Sequence, residues 1–163
     1  MYLPFPPFHV FGDQRVGFKA QSLIGSLIDG VTTGERWDQG KPDCTVNIAF
    51  STKALVRLKL PDATLVSFPV EFFQGMKAPA AILCDTGKNS SEHWDAIWRE
   101  ERVHVWLAIY AQSSQIREAR CRQLQELIER SGGAKVVGTQ DAGVIVIDGN
   151  VRKRALRIHR WIG

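Results

Sequence analysis

Apolar residues along this chain recur at two spacings, and the change from one to the other marks its elements. Within residues 19–29, Leu23, Ile24, Leu27 and Ile28 stand at the spacing of a helix with one buried face, and Gly30 ends it. Residues 45–50 alternate instead, so Val46, Ile48 and Phe50 share one side of an expected half-buried strand. Residues 64–72, rich in Val and Phe, and residues 80–84 read as two further strands. A serine-capped helix is expected from Ser90, burying Trp94, Ile97 and Trp98. Residues 103–110 are dense in Val, Ile and aromatic side chains and predict a central strand.

The clearest local signal follows. Ser113 or Ser114 caps a helix to about Arg130, with Ile116, Ala119, Leu124, Leu127 and Ile128 inward and Gly132 and Gly133 ending it. A short strand is expected at 135–137. Residues 144–147 and 151–158 then flank Asp148-Gly149-Asn150, and an Asp-Gly pair suits the tight turn of a hairpin. The intervening stretch 31–43 is a surface loop. The pattern predicts an α/β fold, a mixed sheet with flanking helices, in a single domain spanning 1–163.

Composition agrees. A chain of 163 residues with 44% hydrophobic content can bury one sizeable core. No apolar run approaches the roughly 18 residues that cross a bilayer, so membrane insertion is not expected. Residues 1–11 are apolar and proline-rich without a basic leader segment, which predicts an extended arm packed on the domain rather than a signal peptide. Cys44, Cys84 and Cys121 are odd in number, widely spaced and outside metal-ligand pairs. They point to small apolar packing roles in a reducing, cytoplasmic compartment. His9, His93, His104 and His159 are dispersed, with no zinc or triad spacing, and Trp94, Trp98 and Trp106 sit at core-like positions.

Charge changes the picture at one end. The net charge is +4, and the last thirteen residues hold Arg152, Lys153, Arg154, Arg157 and Arg160 with no acid, beside His159 and Trp161. Such a strand can meet a polyanion such as DNA, or an acidic protein face. It can equally guard a sheet edge against unwanted pairing.

Candidate chemistry centres on residues 50–57. If a helix starts at Lys53, Ser51 or Thr52 caps it. A phosphate would then meet the helix start, two hydroxyls and Lys53, with Arg57 one turn on. Residues 54–60 also alternate at Val56, Leu58 and Leu60, so Ser51 to Lys53 reads equally as a hairpin turn. A further arrangement is Asp43, Glu71 and a lysine, carboxylates of the kind that hold Mg2+ for phosphodiester attack. Asp141 and Asp148 belong to turns.

The run VNIAFSTKALVRLKLPDATLVSFPVEF, with Phe68-Pro69-Val70-Glu71 near its end, is similar to the ParB/sulfiredoxin superfamily and resembles the Osa-like plasmid fertility-inhibition factors within it. The resemblance implies a ParB/sulfiredoxin-like core over residues 20–75 and a C-terminal α/β extension over 80–163 ending in the hairpin. It also implies ATP binding or hydrolysis, DNA cleavage, and a block of conjugative or T-DNA transfer at a coupling protein. On it, Ser51, Thr52, Lys53 and Arg57 hold the nucleotide, and Arg57, which matches the motif arginine, works with Glu71 in catalysis. Residues 108–138 look like the opening of a serine recombinase, with Ser114 as nucleophile and Gln112 where that motif has arginine. The capping role of Ser113 and Ser114 needs no chemistry. The competing functional class is a binding or inhibitory protein without catalysis, using Arg152, Lys153, Arg154, Arg157 and Arg160.

Overall fold

The computed structural model describes residues 14–38, 40–140, 144–147, 150–154 and 161–162; the arm at 1–11 lies outside them. Helix α1 (Gln14–Ile28) leads into a loop and strand β1 (Cys44–Phe50). Short helices α2 (Thr52–Arg57), α3 (Asp62–Leu65), α4 (Val70–Gln74) and α5 (Ala96–Arg99) fill the connection to strand β2 (Val105–Ala111). Helix α6 (Ser114–Ser131) follows, then β3 (Val136–Gly138), β4 (Val144–Ile147), β5 (Asn150–Arg154) and β6 (Trp161–Ile162).

Strands β1, β2, β6 and β3 form one sheet in that order, and β4 and β5 form a second. Every pairing among the described residues is antiparallel, which corrects the expected mixed sheet. The longest ladder runs from Cys44 opposite Ala111 to Phe50 opposite Val105. Alternation sends Cys44, Val46, Ile48 and Phe50 to the same side as Val105, Leu107 and Ile109. There they meet Leu23 and Leu27 of α1 and Leu124 and Ile128 of α6. Leu107 and Ile128 are fully buried, at 0% exposure.

Both long helices stand where the periodicity placed them, α1 starting several residues earlier than expected. Ser113 caps α6 by accepting from the Ile116 N–H at 3.3 Å, and Gly132 ends the helix at φ 59°. Ser114, the recombinase-like candidate, instead donates to the exposed Gln115 Oε1 at 3.4 Å. The hairpin strands also form, with Ile147 opposite Asn150, while Asp148 and Gly149 lie outside the described residues.

Three expectations need correction. Residues 64–72 are not a strand: Pro61 and Pro69 each stand at the N-cap position of a short helix, α3 and α4. Proline has no N–H for a sheet ladder but fits a helix start, so these prolines outweigh the strand preference of Val and Phe. Residues 80–84 are turns, with Ile82 N and Leu83 N both donating to Pro79 O. The helix expected after Ser90 is broken into a 3-10 turn at Ser91–His93 and the single turn of α5. No residue from Val56 to His104 is buried, and Val66, Val70, Met76 and Ile82 are exposed. Among the described residues, no helix is long and apolar enough to cross a membrane.

Candidate functional site

Where β1 ends, the chain turns directly into α2, and this corner gathers most of the residues singled out above. Ser51 is extended, at φ −78° and ψ 159°, and its Oγ accepts from the Ala54 N–H at 3.2 Å. Helix, not hairpin turn, wins here because Ala54 and Leu55 are both buried. Adjacent side chains point to opposite faces of a strand, so a strand could not bury both on one side. The Thr52 hydroxyl donates to Phe72 O in α4 at 2.7 Å. The Lys53 ammonium pairs with the Glu101 carboxylate, which Lys77 also approaches at 3.5 Å. Lys77 donates as well to Arg99 O at 2.6 Å, at the end of α5.

The carboxylate brought to Lys53 is therefore Glu101, not Glu71, which stands exposed on α4. The Lys53 hydrogen bond is the main reason the Glu101 carboxyl is held below its ordinary range. Glu101 itself takes a left-handed backbone, φ 52°, a conformation that side chains with a Cβ rarely adopt. Its involvement was not legible in the sequence, because its partner stands on another element 48 positions away and no motif links them.

His104 closes the corner. Its carbonyl accepts from Ser51 N at 2.9 Å, and its Nδ1 is buried without a hydrogen-bond partner. Burial first, then the charges of Arg57 and Lys53, push its pKa down to about 4. At neutral pH the imidazole is therefore uncharged.

The opposite face of the sheet has a different character. Thr45, Asn47 and Ala49 of β1 lie across from Tyr110, Ala108 and Trp106 of β2. Tyr110 is 42% exposed, and the Trp106 ring packs at 6.0 Å from Trp98 of α5. Among the described residues, α1 and α6 both cover the other face.

Residues 29–153 match the family profile described as the DyP dimeric alpha+beta barrel domain. The chain belongs to this family. No curated protein matches it. Membership overturns the ParB/sulfiredoxin resemblance, and with it the fertility-inhibition and conjugation reading. The physical misreading lay in the Phe68-Pro69-Val70-Glu71 run, which opens a helix of the DyP-type domain instead of closing a strand.

The remaining expected residues are dispersed in the DyP-type domain. Arg152, Lys153 and Arg154 lie on β5, whereas Arg157 and Arg160 fall outside the described residues. Trp161 belongs to β6 in the larger sheet, its backbone opposite Trp106. Cys44 and Cys121 are half-buried against the core, and Cys84 is exposed; all three are free thiols. Burial raises the Cys44 pKa. Among the described residues, no three His, Cys, Asp or Glu side chains gather as a metal-binding group.

Haem peroxidases hold iron through a proximal histidine in a pocket that controls access. The two described histidines do not fit that role. His93 is exposed on a 3-10 turn, and His104 is wedged at the sheet end beside two cations that would oppose a bound ferric ion.

Proposed function

We propose that this domain is the pairing half of a DyP-type, peroxidase-related assembly, and that it closes a barrel against a second copy of itself. The observation that carries the reading is the unequal covering of the β1–β2 ladder. One face is sealed by α1 and α6, while the other leaves Asn47, Ala49 and Tyr110 exposed beside half-buried Thr45, Ala108 and Trp106, the last packed on Trp98 of α5. A sheet with one solvated face is stable when that face is polar. Here it carries two aromatic side chains and two alanines, the residue types that sheet-on-sheet packing at about 10 Å can bury. Tyr and Trp are also the side chains that dominate the energy of protein interfaces. The family description, a dimeric alpha+beta barrel, supports a second copy as the occupant.

Light scattering on the full chain at several concentrations tests this. The mass is expected to be that of a dimer, and Tyr110→Glu, which places a charge on the open face, is expected to give a monomer with an unchanged circular dichroism spectrum. A monomeric parent protein at high micromolar concentration, or a Tyr110→Glu variant of undiminished mass, would overturn it.

A further inference from the structure

The connection between β1 and β2 buries no side chain from Val56 to His104, yet it carries a run of contacting aromatic rings. Phe68 stacks on Phe72 with centroids 4.9 Å apart, and Phe72 meets Phe73 edge-on at 6.1 Å. Phe68 is exposed, and so are Val66 and Val70 on either side of it, Val70 by 51%. An exposed apolar surface built on rings in contact marks a docking place. None of these residues belongs to the β1–β2 face that carries the pairing reading.

The position of this surface is fixed by two contacts. Thr52, the first residue of α2, holds the Phe72 carbonyl. At the other end of α2, Gln21 of α1 donates through Nε2 to Leu58 O at 2.7 Å, and a Cβ on Gly17 would stand 3.6 Å from Arg57 O. The first turns of α1 therefore lie against one end of α2 and the aromatic run against the other. Helix α2 has six residues, about 9 Å at its rise per residue, so α1 begins on the order of 20 Å from Phe72. Residues 1–13 precede that helix, and at about 3.1 Å per residue in a polyproline II helix they reach roughly 40 Å.

The sequence of this segment suits the surface. Residues 1–12 include no Asp, Glu, Lys or Arg. Pro4, Pro6 and Pro7 favour the polyproline II conformation, which turns once every three residues and brings positions three apart to one edge. Tyr2, Phe5, Phe8 and Phe11 recur at that spacing. Proline-rich segments of this kind dock on aromatic surfaces, because their preset backbone gives up little entropy on binding. Tethering to the same chain favours the chain's own segment over that of a second copy, since a short tether supplies an effective concentration in the millimolar range.

We propose that the surface formed by Val66, Phe68, Val70 and Phe72 is the docking site for residues 1–13 of the same chain, with the aromatic edge of that segment laid on the phenylalanine run. This names the surface on which the expected N-terminal arm packs. The site is independent of the pairing face, so either can fail without the other.

The test is limited chymotrypsin digestion of the full chain, followed by intact-mass spectrometry. The Phe8–His9 and Phe11–Gly12 bonds are substrates, whereas Leu3 and Phe5 precede proline and resist cleavage. Both bonds are expected to be cut about tenfold or more slowly than in a synthetic peptide of residues 1–16, and equally slowly on hundredfold dilution of the chain. Val70→Asp places a charge on the docking surface at the first position of α4, where an acidic residue suits the helix start. It is expected to speed cleavage about tenfold with an unchanged circular dichroism spectrum. Phe5→Ser, read at the Phe11–Gly12 bond, should do the same and is decisive if the Val70 variant misfolds. Cleavage of the parent chain at the rate of the peptide, an unchanged rate in the folded variants, or protection that disappears on dilution and so belongs to a second copy would each overturn the proposal.

Discussion

The Thr52 hydroxyl donates to the Phe72 carbonyl at 2.7 Å, pinning the start of α2 to the middle of α4. The last four carbonyls of a helix have no partner within it, and α4 is only five residues long, so Thr52 supplies what α4 cannot. Thr52→Val keeps the shape and removes the donor. The expected cost is about 1 kcal/mol, read as a lower urea midpoint with an unchanged slope. An unaltered midpoint would mean that the bond contributes nothing to holding the connection.

His104 makes stability depend on mild acid. Its pKa is about 4 in the fold against 6.5 ordinarily, so in the window between them the unfolded chain binds more protons than the folded one. Stability is full above about 6.5 and falls as pH drops toward 4. Denaturant midpoints across that range should decline in the parent protein and decline less in His104→Gln. An NMR titration in which the His104 ring protonates near 6.5 would contradict the burial argument.

Glu101 acts lower on the pH scale. Lys53 and Lys77 hold its carboxyl below the ordinary 4.5, so its contribution is present above that value and is lost as pH falls through the lower folded pKa. All three side chains are substantially exposed, and solvent screening keeps the effect under about 1 kcal/mol. Glu101→Gln should remove this acid limb while sparing the one due to His104. Raising salt should weaken the parent protein and leave the variant less affected.

The two glycines after α6 do different work. A Cβ on Gly133 would stand 2.5 Å from the Lys19 carbonyl carbon and 2.6 Å from Ala20 N, both backbone atoms of α1 that cannot step aside singly. Gly133→Ala should therefore push α1 off α6, at about 1–3 kcal/mol. At Gly132 the constraint is the backbone, φ 59°, and Gly132→Ala should cost about 1 kcal/mol or slightly more. Thermal unfolding that ranks the two equally, or finds Gly133→Ala neutral, would show that the helices pack less closely than this.

Local sequence determined the elements whose stabilising contacts are periodic or adjacent. Helix α6 was legible from the Ser113 cap, the inward Leu124 and Ile128, and the Gly132 stop, all within one segment. Strands β1 and β2 were legible because alternation and burial coincide on a sheet sealed on one side by helices. Tertiary structure alone decided the connection between them. Valine and phenylalanine at residues 64–72 carry strand preference, but that preference is realised only against a neighbouring strand. The proline-led turns at Pro61 and Pro69, tied down by Thr52, leave them none. At the corner from Ser51 to Arg57, the groups that Ser51 and Lys53 meet were not legible in the sequence. Glu101, Lys77 and His104 reach it only because β1 and β2 are antiparallel, which returns position 104 beside position 51.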